Sequence, residues 1–447
     1  MKLQQKLLVR LIAILLILLS LSSCGIKQVN DSLAVFCTEG EFFGQYFNSA
    51  ITEYEKQSGI SVTVWDQMLP QSVKRSSWEE QEEYRLGLRT AIMAGDSPDV
   101  FILKGYEFRK ELYKMIEAGV FLDFDTLIKK DRNFTLTNYE EIIMDTGYYS
   151  GKRYILPLMY VVPHIVVSEE KMSRFGVNVN DVTSYESFLD TALRLHKDNK
   201  TMFTRGALIF GAQEYAGWSQ EAVDYENKSL NLETDTYDKL IRFYKEELYL
   251  GSKIKADYTS DYNELMNNEN GLFYFNEELM GLTKVLSSSR DTNDTIIILP
   301  LPSNYGCSTA CVTYFAMISS SSKNIDNAWE FVKVLLGEEF QKEVHYYLNQ
   351  VGVYSPMIDY NIERFTEINS LSGPIPDKYI ERMKESYKNY DNATIYGFKG
   401  DIMFENIYID YFYPGELSNN YSDCYSDSEL ATLKEELKQY YSIWFSE

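Results

Sequence analysis

The chain has few cysteines and histidines and little positive charge, and it lacks the short motifs that mark many hydrolases and nucleotide-binding enzymes. Five cysteines in 447 residues are too few to staple a disulfide scaffold, and no Cys-x-x-Cys pair is among them. Cys307 and Cys311 could approach a metal ion, but the only histidines, His164, His196 and His345, lie far from that pair in sequence. Small half-buried residues are the plainer reading, and neither metal nor cofactor is expected. With 43 basic residues against 66 acidic ones, the formal net charge is −23, which argues against a nucleic-acid partner because phosphate binding needs a basic surface. An acidic surface mainly keeps a protein soluble and off anionic lipid. No Gly-x-Ser-x-Gly, His-Glu-x-x-His or P-loop sequence occurs, so the usual serine, zinc and nucleotide chemistries have no foothold. Paired carboxylates can cleave a glycoside, but in so acidic a chain no pair stands out, and no enzyme activity is expected.

The N-terminus is informative. Lys2, Lys6 and Arg10 precede an unbroken apolar run from Leu11 to Leu19, followed by Leu21-Ser22-Ser23-Cys24-Gly25. A basic region, a short apolar core and small residues before a cut are the features of a secretory signal peptide, and the run is too short to span a bilayer. Cys24 after small residues resembles the lipobox of bacterial lipoproteins, in which the Cys is acylated and becomes the new N-terminus. That resemblance implies a signal peptide over 1–23, a tether over 24–32 and a domain held at the outer face of the cell membrane by its lipid anchor, because each buried methylene adds about 0.8 kcal/mol. An ordinary signal peptide with a chance Cys is the alternative.

Aromatic residues are plentiful, and Tyr, at 36, outnumbers Phe, at 24. Some of these rings must reach the surface, where a flat face with a polar edge serves recognition as well as packing. The length suggests two lobes.

Leu33-Ala34-Val35-Phe36 is a short apolar run suited to a buried strand, ending at Thr38-Glu39-Gly40-Glu41. Phe43, Phe47, Ala50, Ile51 and Tyr54 then recur at helical spacing before Gly59, and Ile60, Val62 and Val64 alternate with polar residues. Strand, helix and strand in this order make a βαβ unit and a parallel sheet, which binds ligands beyond the carboxyl ends of its strands. A helix through Tyr84, Leu86, Leu88 and Ile92 leads through the turn Gly95-Asp96-Ser97-Pro98 to a further buried strand, Val100 to Leu103. That strand ends at Lys104-Gly105-Tyr106. Prolines in Tyr154–Pro163 and in Ile296–Pro302 remove ladder donors, so each stretch is expected at an edge or crossing between lobes. The spans Leu156–Val162 and Ile297–Leu301 are the expected hinges. Further on, Phe315–Ile318 reads as a strand and Ile325–Glu343 as a helix. The tail from Leu430 to Trp444 has helical periodicity and is expected to pack on the second lobe.

This order of elements resembles the extracellular solute-binding proteins of carbohydrate-type ABC importers, the relatives of maltose-binding protein. Ala94-Gly95-Asp96-Ser97-Pro98-Asp99-Val100 is similar to that family's Gly-x-x-Pro-Asp stretch. Gly151-Lys152-Arg153-Tyr154-Ile155-Leu156-Pro157 is similar to its turn into the hinge strand, Ser168 to Gly176 to the following helix, and Asn327-Ala328-Trp329-Glu330-Phe331 to the helix after the second crossing. The resemblance implies a two-lobed α/β periplasmic-binding-protein-like fold, each lobe a mainly parallel sheet flanked by helices and joined by crossover strands. Lobe 1 would comprise 33–157 and 298–345, and lobe 2 158–297 and 346–447. It further implies a ligand site containing Glu39, Glu41, Tyr106, Tyr160, Glu214, Tyr215, Trp218, Asn276 and Glu277, with a Trp218-type ring stacked on a sugar face. Core packing for Trp218, Tyr106 and Tyr160, and solvated surface for Glu39, Glu41 and Glu277, are the alternatives. The implied partners are a small-molecule carbohydrate and a membrane permease, with the protein a monomer. A polyamine, a peptide or a sensor protein as partner stays open. Leu103 is aliphatic where the maltose-type pattern can carry an aromatic residue, so maltose itself is not implied.

Overall fold

In a computed structural model, the described residues are 32–37, 43–64, 78–104, 108, 111–205, 208–218, 222–253, 268–276, 285–286, 289, 295–304, 308–341, 355–356, 375–395 and 427–446. In chain order they form β1 (Ser32–Cys37), α1 (Phe43–Ser58), β2 (Ser61–Val64), α2 (Trp78–Met93), β3 (Val100–Lys104), α3 (Glu111–Glu117), α4 (Phe124–Ile128), α5 (Glu141–Asp145), the hairpin β4 (Tyr148–Tyr149) and β5 (Lys152–Arg153), and β6 (Leu156–Val161). Next come β7 (His164–Ser168), α6 (Glu169–Arg174), α7 (Tyr185–Lys197), β8 (Thr201–Phe203), α8 (Leu208–Ala216), the hairpin β9 (Val223–Asp224) and β10 (Ser229–Leu230), α9 (Asp235–Lys253), β11 (Gly271–Asn276) and β12 (Ile296–Pro300). The chain continues with β13 (Thr309–Ile318), α10 (Ile325–Leu336), α11 (Asp377–Lys388), β14 (Asn392–Ile395) and α12 (Asp427–Ser446).

The opening βαβ unit forms as its periodicity dictates. Leu33 and Val35 point into one cluster of buried residues and Phe36 into another, because successive strand side chains face opposite sides. Phe47, Ala50 and Tyr54 form the buried stripe of α1. The helix stops at Gly59, whose φ of +71° is open to glycine without the steric cost other residues meet there. Parallel pairing of β1 with β2 and with β3 completes the unit. Asp99, in the turn before β3, explains why an acid stands there: its carboxylate accepts from the Ala34 N–H at 2.9 Å and from the Ser322 hydroxyl at 2.6 Å. One side chain thus pins the start of β3 to β1 and to the turn before α10. Hydrogen bonds to an ionised group contribute about 1.5–3 kcal/mol each.

Two sheets result. The first runs β14-β13-β3-β1-β2, with β6 on the other side of β13. Here β13 is antiparallel to β3 and β6 and parallel to β14. Among the described residues β6 pairs only with β13, so Pro157 sits on an edge strand, where its missing donor is harmless. The second sheet runs β12-β7-β11-β8; β7 is antiparallel to both neighbours, and β11 is parallel to β8. It is therefore mixed, and the expectation of a mainly parallel second sheet is corrected: the crossovers themselves supply β7 and β12, which enter and leave next to each other and so run antiparallel.

The chain passes between sheets after Val161 and after Pro300, somewhat later than the expected lobe boundaries at 157 and 297. The two crossings touch, with the Leu301 N–H donating to the Pro163 carbonyl at 3.1 Å. The discontinuous build of lobe 1 shows in α1 against α10, where the Tyr54 and Phe331 rings meet edge to face at 5.2 Å. The assignment of 346–447 to lobe 2 is corrected at Asn392–Ile395: this strand extends the first sheet, because the N-terminal half of β13 lies beyond the end of β3 and offers an unpaired edge there. The expected helix over 325–343 is interrupted at Gly337, which is extended.

α12 packs against α9 through Lys434 with Asp238 and against Tyr225 through Tyr441. Its end also reaches lobe 1. The Trp444 indole N–H donates to Glu111 at 3.3 Å, and the Lys114 ammonium lies 4.5 Å from the Trp444 ring centre. Beside it, Tyr113 of lobe 1 stacks on Tyr225 of lobe 2 at 4.4 Å.

Candidate ligand cleft between the lobes

The carboxyl ends of β3 and β11 lie near the crossings. Lys104 closes β3 opposite Tyr314 of β13, two residues from Val312, which pairs with Tyr160 just before the first crossing. Asn276 closes β11 opposite His164, the first strand residue after that crossing. His164 is buried, and burial drives its imidazole down to about 4 against the opposing pull of its bond to the Val162 backbone, so the crossing carries a neutral ring at neutral pH.

Helix α8 stands over this junction. Ile209, Phe210, Ala212, Gln213 and Ala216 are its buried face. It approaches β11 closely at Gly211, where a Cβ would come within 3.1 Å of the Phe275 ring. It also packs against β13 of lobe 1. This leaves Glu214 and Tyr215 half-buried at the boundary. Tyr215 packs against the buried clusters of both faces and lies 6.4 Å from the Phe275 ring. Glu214 is close enough to Cys311 of β13 that its charge, after burial, helps hold that thiol well above the usual cysteine range. A carboxylate that accepts hydrogen bonds and a ring with an apolar face therefore meet where the lobes meet.

The other expected residues divide. Trp218 is 1% exposed, so the expectation that it stacks on a ligand is corrected. Gly217, at φ +66°, turns the chain back, and the indole sits among Tyr185, Phe188 and Phe243 at 5.6 to 5.9 Å. Its N–H donates to the Pro302 carbonyl at 2.7 Å. Tyr160 is likewise buried within the first sheet, its ring 5.9 Å from that of Tyr390, so it too belongs to the packing rather than the cleft wall. Asn276 stands at the junction by its strand position. Glu39, Glu41, Tyr106 and Glu277 lie outside the described residues, as does Cys24.

The junction also holds residues that sequence reasoning passed over. Lys104 and Tyr314 are half-buried at the end of β3, the ammonium 6.0 Å from the ring centre. Arg205, half-buried, follows β8. A charged residue closing a buried strand was the available signal for Lys104; Tyr314, inside an apolar run, gave none. Among the described residues Cys37 is buried, Cys311 is a buried free thiol, and no group of three or more His, Cys, Asp or Glu could hold a metal ion. A separate cavity of about 200 Å³ lies where the lobes meet a second time, lined by Tyr113, Tyr149, Asp224, Tyr225, Glu226 and Thr394 among others, and none of the expected cleft residues among the described residues lines it.

Two sheets joined by paired crossovers, with the ends of their strands facing one junction, agree with the sequence comparison: residues 42–342 match the family described as bacterial extracellular solute-binding protein. The chain belongs to this family. No curated protein matches it in sequence. Among solved structures, the solute-binding protein is similar to the sugar-binding protein MalE from Xanthomonas citri, at 14% identity and TM-score 0.58 over 92% of this chain and 97% of that one. It is similar to the ABC substrate-binding protein Lmo0181 from Listeria monocytogenes, solved with cycloalternan, at 14% identity and TM-score 0.55 over 91% and 98%. The GacH receptor of Streptomyces glaucescens, studied unliganded and with acarbose, is similar at 16% identity and TM-score 0.53 over 92% and 98%. At these identities the likeness establishes the fold.

Proposed function

We propose that this solute-binding protein captures a sugar or oligosaccharide between its lobes and delivers it to the membrane permease of an ABC importer, without chemical change to the ligand. The observation that carries the reading is the placement of Glu214 and Tyr215 at the interlobe junction. A sugar presents apolar C–H faces and a rim of hydroxyls, so its site needs flat rings beside acceptors and donors. Tyr215 and Tyr314 provide rings, Glu214 an acceptor, and Lys104 and Arg205 donors at the strand ends. Mixed charge suits a neutral polyhydroxyl ligand better than a polyamine. The ligands solved with similar proteins, cycloalternan and acarbose, support the same class. Closure would pivot at the two crossings and bury the ligand, strengthening its hydrogen bonds as water leaves. Acylation at Cys24 would hold the monomeric protein at the outer face of the membrane; Cys24→Ser should then release it into the medium, where retention on the cells would count against the anchor.

A thermal-shift screen of the domain without residues 1–24 tests the reading, using maltotriose, mannotriose, tagatose, spermidine and short peptides. A ligand at about a hundred times its Kd stabilises the native state by about 2.7 kcal/mol. The expected result is a raised Tm with one class of sugar, recovered unchanged. A shift with spermidine or a peptide alone would keep the binding-protein role and retire the carbohydrate; a sugar recovered cleaved would overturn the absence of catalysis.

A further inference from the structure

We infer that Trp218 is a positioning residue for capture: by holding the Pro302 carbonyl, its indole N–H makes α8 and the second crossing one rigid piece, so that closure at the hinge carries Glu214 and Tyr215 with it. The inference rests on the proposed role of those two side chains at the ligand.

Several contacts converge on this link. The end of α8 is fixed by Gly217 in the left-handed region and by the Trp218 N–H reaching back to the Gln213 carbonyl at 3.2 Å, which aims the indole into lobe 2. There it is wedged against Phe188 of α7 and Phe243 of α9, so its N–H has a defined direction. That direction ends on Pro302 at 2.7 Å. The segment Pro300-Leu301-Pro302 has one backbone N–H, on Leu301, and it is committed to Pro163 in the other crossing. With no proline donor available, the segment is held from outside, by a side chain 84 positions away in sequence. Pro302 and Leu301 are both buried, where a carbonyl left without a donor is costly. A continuous path of bonds therefore runs from the helix bearing Glu214 and Tyr215 through the indole to the place where the two crossings join. A ring stacked on the ligand would need an open face, and this one has none.

Trp218→Phe keeps a ring in the same aromatic cluster and removes the indole N–H together with the ring that carries it. In the ligand-free variant, amide hydrogen exchange should rise in peptides covering 208–216 and 301–304 while 296–300 and 271–276 stay as protected as before. Affinity for whichever of maltotriose, mannotriose or tagatose gives the largest thermal shift should fall about tenfold, the scale of one hydrogen bond. Tyr215→Ala should also lower affinity but leave exchange at 301–304 unchanged. If Trp218→Phe alters neither exchange at 301–304 nor affinity, or lowers affinity with exchange unchanged, the positioning role is overturned, the second result pointing to direct ligand contact. If no sugar binds the unaltered protein, the carbohydrate reading fails while the exchange comparison still decides whether the indole couples helix and crossing. Should Trp218→Phe not fold, the unaltered protein supplies the measurement: the Trp218 indole N–H should be among the slowest of the tryptophan side chains to exchange in NMR spectra, and rapid exchange would overturn the link.

Discussion

Urea unfolding of a Glu247→Gln variant should show a loss of about 3–5 kcal/mol, the cost of breaking a buried hydrogen-bonded ion pair by removing one charge. Glu247 is fully buried on α9. One of its oxygens accepts from the Phe203 N–H at 2.7 Å, and the other from the Met202 N–H at 2.8 Å and from His196 Nε2 at 2.8 Å. The second His196 nitrogen lies 2.9 Å from Glu246. Since a carboxylate only accepts, both ring nitrogens must donate, and His196 is an imidazolium. Three elements, α7 through the His196 ring, β8 and α9, depend on one carboxylate, and β8 is the strand whose end leads to Arg205 and α8. A glutamine of the same shape would turn a donor toward donors. Glu246, whose side chain is 25% exposed, is the control: Glu246→Gln should cost about 1 kcal/mol or less. Equal losses for the two variants would show that the buried carboxylate has no special part.

Stability should peak near pH 6.5 and fall on both sides, by an amount set by two histidines with opposite displacements. Burial alone would lower His196, but the hydrogen bonds and charges of Glu246 and Glu247 outweigh it and raise the ring to about 9. The native state therefore holds a proton that the unfolded chain, titrating near 6.5, gives up earlier. This contribution is fully present below pH 6.5 and is lost as pH rises through 9. His164 behaves in the opposite way: buried at the crossing and lowered to about 4, it stays neutral while the unfolded chain takes up a proton. Its contribution is present above pH 6.5 and lost as pH falls to 4. At about 1.4 kcal/mol per pH unit, each limb is worth about 3 kcal/mol. Urea midpoints measured from pH 4 to 9 test this. His196→Gln should flatten the alkaline limb and His164→Phe the acid limb, each leaving the other in place. A profile unchanged by either substitution would remove both assignments.

The opening strand, helix and strand were legible because each rests on local pattern: alternation in β1, a helical stripe through Phe47, Ala50 and Tyr54, and a glycine where the helix must end. The proline-bearing edges were legible for a chemical reason, the missing N–H. The candidate site was legible only in part. Glu214 and Tyr215 stand at the junction, but Trp218 and Tyr160, chosen as aromatic residues near the right segments, are packed inside. Composition marks a ring as suited to both stacking and packing, and only the surrounding side chains decide between them. Lys104 was read as the end of its strand but not as a neighbour of Tyr314, because a strand's pattern gives its faces, not which distant strand lies beside its end.

The sequence by itself determined the opening strands and helix, the order that makes two α/β lobes, the two crossing segments and the acidic character of the protein, since each follows from short-range periodicity, proline chemistry or charge. The tertiary structure decided what depends on distant partners: Asn392–Ile395 completing the first sheet, α12 reaching from lobe 2 to α3, the imidazolium between Glu246 and Glu247, and the Trp218 indole bound to Pro302. Each of these joins residues far apart in the chain, and local sequence preferences carry no information about which far segment will supply the missing donor or acceptor.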